Sequence, residues 1–298
     1  MNSIVRTMAT IRSAGCLIIG DEVLNGKIQD TNSFEFAKFC FNQLKIPLKK
    51  VIVCSDDKQD IKSSLDILNK NVDLIVTSGG LGSTHDDVSY EAIASYYNLQ
   101  YKLDEDVVSR MNRLRSLYLK SLSPNQVESF YKMATLPCSS STINVDKIFV
   151  DKSLWFPIVA IDHKVFILPG IPQLFTKLIH DLYPILAPRI QTQSFTRLYV
   201  KTSSGESEFA TFLLNLQYQL DEKYGINAIK LGSYPHIAWK LNTISIIINL
   251  PNFSDSQKSD LVKSIIDGVA GNAVEIDSVE EDRLSNELPK DNKLRDRF

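Results

Sequence analysis

Thr77-Ser78-Gly79-Gly80-Leu81-Gly82-Ser83-Thr84-His85-Asp86-Asp87 follows directly on the branched apolar run 72–76 and leads into a helix-like stretch at 88–97. Position carries more weight here than the glycines themselves. In a parallel α/β sheet, ligands bind beyond the carboxyl ends of the strands, and a glycine-rich turn into a helix brings backbone N–H groups close to phosphate oxygens. Three glycines within four residues also open backbone angles that other residues avoid. Spacing alone leaves two interpretations. One is a phosphate cradle formed by Ser78, Gly79, Gly80, Gly82, Ser83 and Thr84; the other is a tight strand-to-helix turn with Asp86 or Asp87 as the N-cap.

Upstream, short apolar runs at 14–19 and 48–53 repeat the pattern of strands buried on both faces. Between them, Phe34, Ala37, Phe41 and Leu44 recur at helical spacing, as do Ile61, Leu65 and Leu68 before the third run. Strands alternating with helices predict a parallel, doubly wound sheet. Downstream come a helical stretch over 104–120, a helix start at Ser123-Pro124, strands at 159–162 and 164–168, and a helix over 171–186 with Pro172 in its first turn. Beyond Pro188 the order becomes strand (196–202), helix (206–219), strands (228–231, 245–249) and helix (255–268). The expected organisation is a flexible N-terminus at 1–13, an α/β domain at 14–190, a small α+β domain at 191–278 and a charged, mobile tail at 279–298. No internal repeat or low-complexity run is present in the sequence.

Acids gather where the other strands end. Gly20-Asp21-Glu22-Val23-Leu24-Asn25-Gly26-Lys27-Ile28-Gln29-Asp30-Thr31-Asn32 follows the first strand, and Asp56-Asp57 follows the second. Either could be plain capping: Thr31 or Asn32 with Glu35 for one helix, an aspartate of the pair for the next. Three such loops in a row are harder to explain as three independent caps, because loops at strand carboxyl ends converge on one cleft. Asp86, Asp87 and His85, set beside a phosphate cradle, are candidate metal or acid/base groups, since Mg²⁺ takes one or two carboxylates plus phosphate oxygens. The competing interpretation makes one aspartate a helix cap and the histidine a solvated side chain.

Composition sets limits on this picture. With 298 residues, 44% of them hydrophobic, the chain can bury a full core. Its 33 basic and 35 acidic side chains give a formal charge of -2, so no global field favours nucleic acid or an anionic membrane. Cys16, Cys40, Cys54 and Cys138 show neither a CxxC pair nor metal-finger spacing, which points to reduced thiols and a cytoplasmic setting. No run approaches the roughly 18–20 apolar residues of a membrane span. Arg6 and Arg12, in an acid-free start rich in Ser and Thr, also fit the beginning of a mitochondrial presequence, the alternative address. Trp155, Trp239, Tyr96, Tyr97 and Tyr101 are read as packing rather than as a flavin platform.

Together, the segments 20–32, 77–89 and Leu168-Pro169-Gly170-Ile171-Pro172 resemble the CinA N-terminal family of the MoaB/Mog molybdopterin-binding-like superfamily. They are most similar to the molybdopterin-binding-like domain that precedes the synthetase domain of animal FAD synthases. Gly205-Glu206-Ser207-Glu208 and Leu231-Gly232-Ser233-Tyr234-Pro235 extend the resemblance to about residue 277. It implies a three-layer α/β/α MoaB/Mog-like domain followed by the small α+β domain of CinA-like proteins. It also implies that Asp56 and Asp87 stand where the superfamily uses two aspartates. Relatives on the CinA side are associated with metal-dependent cleavage of ADP-ribose and FAD. Neither the synthetase domain nor the amidase domain of full CinA is recognisable here, so FAD synthesis is not expected of these residues.

The leading expectation is therefore a hydrolase that splits FAD into FMN and AMP, or cleaves a related dinucleotide such as ADP-ribose. Asp56, Asp87, Glu22 and His85 are its catalytic candidates, and Asp86 and Asp87 its metal ligands. Asp21, Asp30, Asn32, Pro169 and Gly170 line the cleft, and the expected cofactor is Mg²⁺, Mn²⁺ or Co²⁺, with K⁺ as an addition. Two alternatives stand beside it: a binding module that holds a pterin or flavin nucleotide without turnover, and a molybdenum-cofactor transferase. A homo-oligomer is compatible with either.

Overall fold

A computed structural model describes residues 9–191, 196–269 and 271–288. The chain divides into two compact units, 1–192 and 193–298.

The first unit is built on strands β1 (Ala14–Ile19), β2 (Leu48–Cys54), β3 (Leu74–Ser78), β4 (Tyr101–Leu103), β5 (Thr135–Pro137), β6 (Val145–Ile148), β7 (Ile158–Ile161) and β8 (Val165–Leu168). Six of them form one sheet in the order β2-β1-β3-β8-β7-β6. Helices α1 (Asp21–Leu24), α2 (Asn32–Phe39) and α3 (Lys58–Asn71) fall between the first three strands. Then come α4 (Ser89–Tyr96), α5 (Glu105–Leu114), α6 (Ser116–Lys120), α7 (Pro124–Lys132), α8 (Pro172–Asp181) and α9 (Tyr183–Leu186). Side chains alternate between the faces of each strand, so Leu17, Ile19 and Ile75 enter one apolar layer and Cys16, Ile18, Leu74 and Val76 the other. The first layer is covered by α3, α4 and α5, the second by α2 and α8, giving the expected three layers.

The sheet is mixed rather than wholly parallel. β2, β1, β3 and β8 run parallel, whereas β7 is antiparallel to both β8 and β6. The reason is local: Asp162 and His163 both have positive φ, 48° and 51°, and Lys164 N–H closes on Ile161 O at 2.9 Å. Two residues suffice for a hairpin, not for a crossover. The antiparallel pair β4-β5 closes the excursion that carries α5, α6 and α7.

Three other expectations are corrected. The buried stripe of α2 is Phe36 and Phe39, continued by Cys40 and Leu44 in a π-helical turn, while Phe34 lies exposed. Residues 9–13 are not a loose end, because Ile11 is fully buried, its N–H donates to Arg189 O at 2.8 Å, and Arg189 Nη1 donates to His163 O. The stretch after 278 is likewise helical up to Asn286.

The second unit comprises β9 (Thr196–Thr202), α10 (Glu206–Tyr224), β10 (Ile229–His236), β11 (Leu241–Ile248), α11 (Asp255–Gly268), β12 (Val274–Ile276) and α12 (Ser278–Asn286). Its four strands pair antiparallel in the order β10-β11-β9-β12, with Phe209, Leu216, Ile244, Ile246 and Ile265 in the core. α12 is held by Leu284, which is buried, and by Arg283 over the Trp239 ring. The expected tail at 289–298 lies outside the described residues.

Candidate active site

The chain turns sharply at the end of β3. Gly79 has φ of 111°, and a Cβ built on it would stand 2.0 Å from Ile19 O, so the close approach of β3 to β1 admits glycine alone. Ser89 Oγ, buried at the start of α4, donates to Gly79 O at 2.8 Å and ties the turn to the helix that follows. Nothing in the spacing had marked Ser89.

Asn32 joins three strand ends. From the first residue of α2, its Nδ2 donates to Ser78 Oγ at the end of β3 and to Gly170 O after β8, each at 2.8 Å. Asn32 was expected in the cleft or as a cap; capping falls instead to Asp30, whose carboxylate accepts the N–H groups of Asn32 and Ser33 and the Ser33 hydroxyl. Pro169 and Gly170 follow β8 at the same sheet edge, with Pro169 half-buried.

The aspartates divide the work unequally. Asp57 caps α3, accepting from Gln59 N and Asp60 N, which leaves Asp56 free of that duty. Asp56 accepts the N–H of Asp21 at 2.8 Å, so the loops after β1 and β2 meet. Burial pushes its proton affinity up; the Asp21 amide opposes that, and the charges of Asp21, Glu22 and Asp86 add to the rise. Carboxylates from two other strand ends thus bear on Asp56. Asp87 caps no helix, since α4 begins at Ser89 without a side-chain cap. Its two oxygens are taken by Gly82 N at 2.6 Å, Thr84 N at 3.0 Å and the Thr84 hydroxyl, which makes it the brace of the loop. Asp86 is more exposed; the neighbouring Thr84 hydroxyl and its own amide, then His85 and Lys132, hold its carboxyl below the ordinary range. His85 is almost wholly exposed.

Cations rim the cleft. Lys27 pairs with Glu22 at 3.8 Å, Lys58 with Glu91, and Lys132 Nζ donates to Thr84 O from the last residue of α7. Lys132 lies 48 residues from its partner, a separation no local pattern reveals. Among the described residues, no protein acceptor takes the N–H of Gly80, Leu81 or Ser83. Among the same residues, no three His, Cys, Asp or Glu side chains converge to form a protein-only metal cage. No helix among them is long and apolar enough to cross a membrane.

Residues 15–188 match the family described as a probable molybdopterin binding domain. Over 291 residues the chain is 27% identical to a probable FAD synthase of Caenorhabditis elegans, an alignment covering 93% of this chain and 54% of that protein. It is 34% identical over 193 residues to a CinA-like protein of Mycobacterium tuberculosis, covering 62% of this chain and 42% of the relative. The chain thus spans about half the length of the curated relatives it matches. The solved structure of CinA from Thermoplasma acidophilum, described as of unknown function, superposes with a TM-score of 0.51 at 25% identity, covering 59% of this chain and 98% of that one.

Proposed function

Because the chain belongs to the family of probable molybdopterin binding domains, we propose that the 77–87 loop binds ligand phosphates and that the cleft hydrolyses the pyrophosphate bond of FAD or a related dinucleotide such as ADP-ribose. The supporting observation is the meeting of four strand ends, those of β1, β2, β3 and β8. Asp21 N–H bonds Asp56, Asn32 bonds Ser78 and Gly170, and the N–H groups of Gly80, Leu81 and Ser83 are left without protein acceptors among the described residues. Amides fixed by a braced loop are ready donors for phosphate oxygens and for charge that develops on them.

In the reaction, a water oxygen bonds to one phosphorus and the bridging P–O bond breaks. FAD and water give FMN and AMP, and the water's protons pass to the cleft and the products. Asp56, with raised proton affinity, is the carboxylate suited to take the first proton. Asp87 keeps the amides in place, and Lys132 fixes the loop from outside at Thr84. The residues present would suit a divalent ion only together with substrate, with Asp86 supplying a carboxylate and the ligand's phosphates the further oxygens. When bound, such an ion would neutralise charge on the phosphates.

The lack of a three-ligand cluster among the described residues favours a second reading, a module that binds a flavin or pterin nucleotide without cleaving it. Purified protein incubated with FAD, ADP-ribose or NAD and Mg²⁺, Mn²⁺ or Co²⁺ separates the two. Ion-dependent release of AMP supports hydrolysis; tight calorimetric binding without release selects the module.

A further inference from the structure

Lys132 ends α7 at a place set by its neighbours. Gln126 accepts the Ser123 N–H in the capping box that starts the helix, and Val127, Phe130 and Tyr131 pack against the first apolar layer. Tyr131 donates its hydroxyl to Asn112 Oδ1 in α5 at 2.7 Å, the Phe130 ring lies 5.5 Å from that of Trp155, and Ala134 O accepts the Asp104 N–H at 2.9 Å. The chain is thus held on both sides of Lys132, and the lysine stem carries its ammonium to Thr84 O in the glycine loop. Lys58 pairs with Glu91, Lys147 with Asp104 and Asp106, and Lys177 with Asp151 and Asp181. Lys132 differs from these. Among the described residues its acceptor is the Thr84 carbonyl, and no carboxylate stands within ion-pair distance of it. Its charge still reaches Asp86, in the same loop.

An ammonium has three N–H donors, so Thr84 O satisfies one of them. The loop it touches has donors to spare as well. Asp87 takes the N–H groups of Gly82 and Thr84, while those of Gly80, Leu81 and Ser83 meet no protein acceptor among the described residues. Ser83 and Thr84 are consecutive, with Cα atoms about 3.8 Å apart, so an anion on the Ser83 amide comes within reach of the flexible lysine stem. A phosphate oxygen attracts an ammonium more strongly than a neutral carbonyl does, and the exposed Asp86 carboxylate nearby makes a balancing cation necessary for any bound anion. We infer that Lys132 is a ligand-binding residue whose ammonium turns from Thr84 O to a phosphate oxygen seated on the Ser83 amide. The phosphate site then draws its cation from the α5–α7 excursion, not from a strand end.

This rests on the phosphate-binding reading above, and the variants separate the two. Binding of inorganic pyrophosphate is measured by calorimetry over a range of salt concentrations for the wild-type chain, Lys132→Met and Lys132→Arg, with thermal melting as the folding control. Methionine keeps the apolar stem and removes the charge; arginine keeps the charge. The expected result for Lys132→Met is a loss of affinity of about tenfold or more at low salt, and an affinity that depends less on salt than that of wild type. Lys132→Arg should stay close to wild type in both respects. If Lys132→Met melts well below wild type, Lys132→Gln, which keeps a donor for Thr84 O without the charge, replaces it under the same criteria. Wild-type affinity in the uncharged variant overturns the role of Lys132 while leaving the phosphate site standing. Affinity that falls by the same factor at every salt concentration marks Lys132 as a brace of Thr84 alone and also overturns the proposal. Wild-type protein that binds no pyrophosphate overturns the phosphate reading itself, and this inference with it.

Discussion

The Asp56 carboxylate accepts the backbone N–H of Asp21 at 2.8 Å, tying the loop after β2 to the start of α1 just beyond the paired ends of β1 and β2. The bond also keeps Asp56 close to Asp21, Glu22 and Asp86, so the folded protein holds negative charge it would be more stable without. Sites of catalysis often carry such strain.

Asp56→Asn should therefore separate stability from activity. Burial and like charges raise the folded-state proton affinity of Asp56 above that of the unfolded chain. Its favourable contribution is thus present at low pH and is lost as pH rises through the folded-state value. Replacing the carboxylate with an amide should raise the melting temperature at pH 7, and the gain should shrink toward pH 4, near the unfolded value of about 3.9. AMP release from FAD should fall by about 100-fold or more. Melting curves at both pH values and a product assay check the two halves separately.

Asp87→Ala should move both quantities down together. The variant leaves Gly82 N–H, Thr84 N–H and the Thr84 hydroxyl without their acceptor, at a cost of about 1–3 kcal/mol. A fall of several degrees in melting temperature alongside lost ligand affinity marks a brace. Lost turnover at unchanged stability and affinity would mark Asp87 as a reacting group instead.

Gly79→Ala tests the close approach of β3 to β1. The new methyl would meet Ile19 O at a φ of 111°, and about 3 kcal/mol or more of stability should be lost. Denaturant titration measures it, and a loss below about 1 kcal/mol would mean that the turn relaxes easily.

Much of this arrangement was legible in the sequence because strand ends announce themselves. The apolar runs at 14–19, 48–53 and 72–76 each stop one to three residues before a glycine or an acid, and each became a parallel strand followed by a cleft loop. The Asp162-His163 turn could have been read as a hairpin, since two polar residues between apolar runs leave no room for a crossover. The face of α2 was misassigned because its pattern is stretched by the π-helical turn Cys40–Leu44, which breaks the ordinary period. Which aspartate would cap and which would brace was not legible, because Asp56 and Asp57, or Asp86 and Asp87, differ only in the direction their backbone points them. Lys132 was invisible for another reason: its partner is brought near by the whole α5–α7 excursion.

In the second unit, α12 should loosen in acid. Hydrogen bonds from Arg283 and Lys201 hold Glu280 down to about 2, so its contribution is present above the unfolded value and is lost as pH falls through about 2. Amide exchange in 278–286 should accelerate between pH 4 and pH 2 relative to the core strand β11, with the intrinsic exchange rate taken into account. Glu280→Gln should exchange fast at every pH; a wild-type rate in that variant would show that Leu284 alone docks the helix.

Amide-resolved NMR during a titration with inorganic pyrophosphate reads directly whether the Gly80, Leu81 and Ser83 amides, which have no protein acceptor among the described residues, grip linked phosphates. The signals of Gly80, Leu81 and Ser83 should shift together and saturate, while those of β10 and β11 stay still. Signals in that turn that remain unmoved at saturating pyrophosphate, or that move no more than the rest of the chain, would contradict that grip.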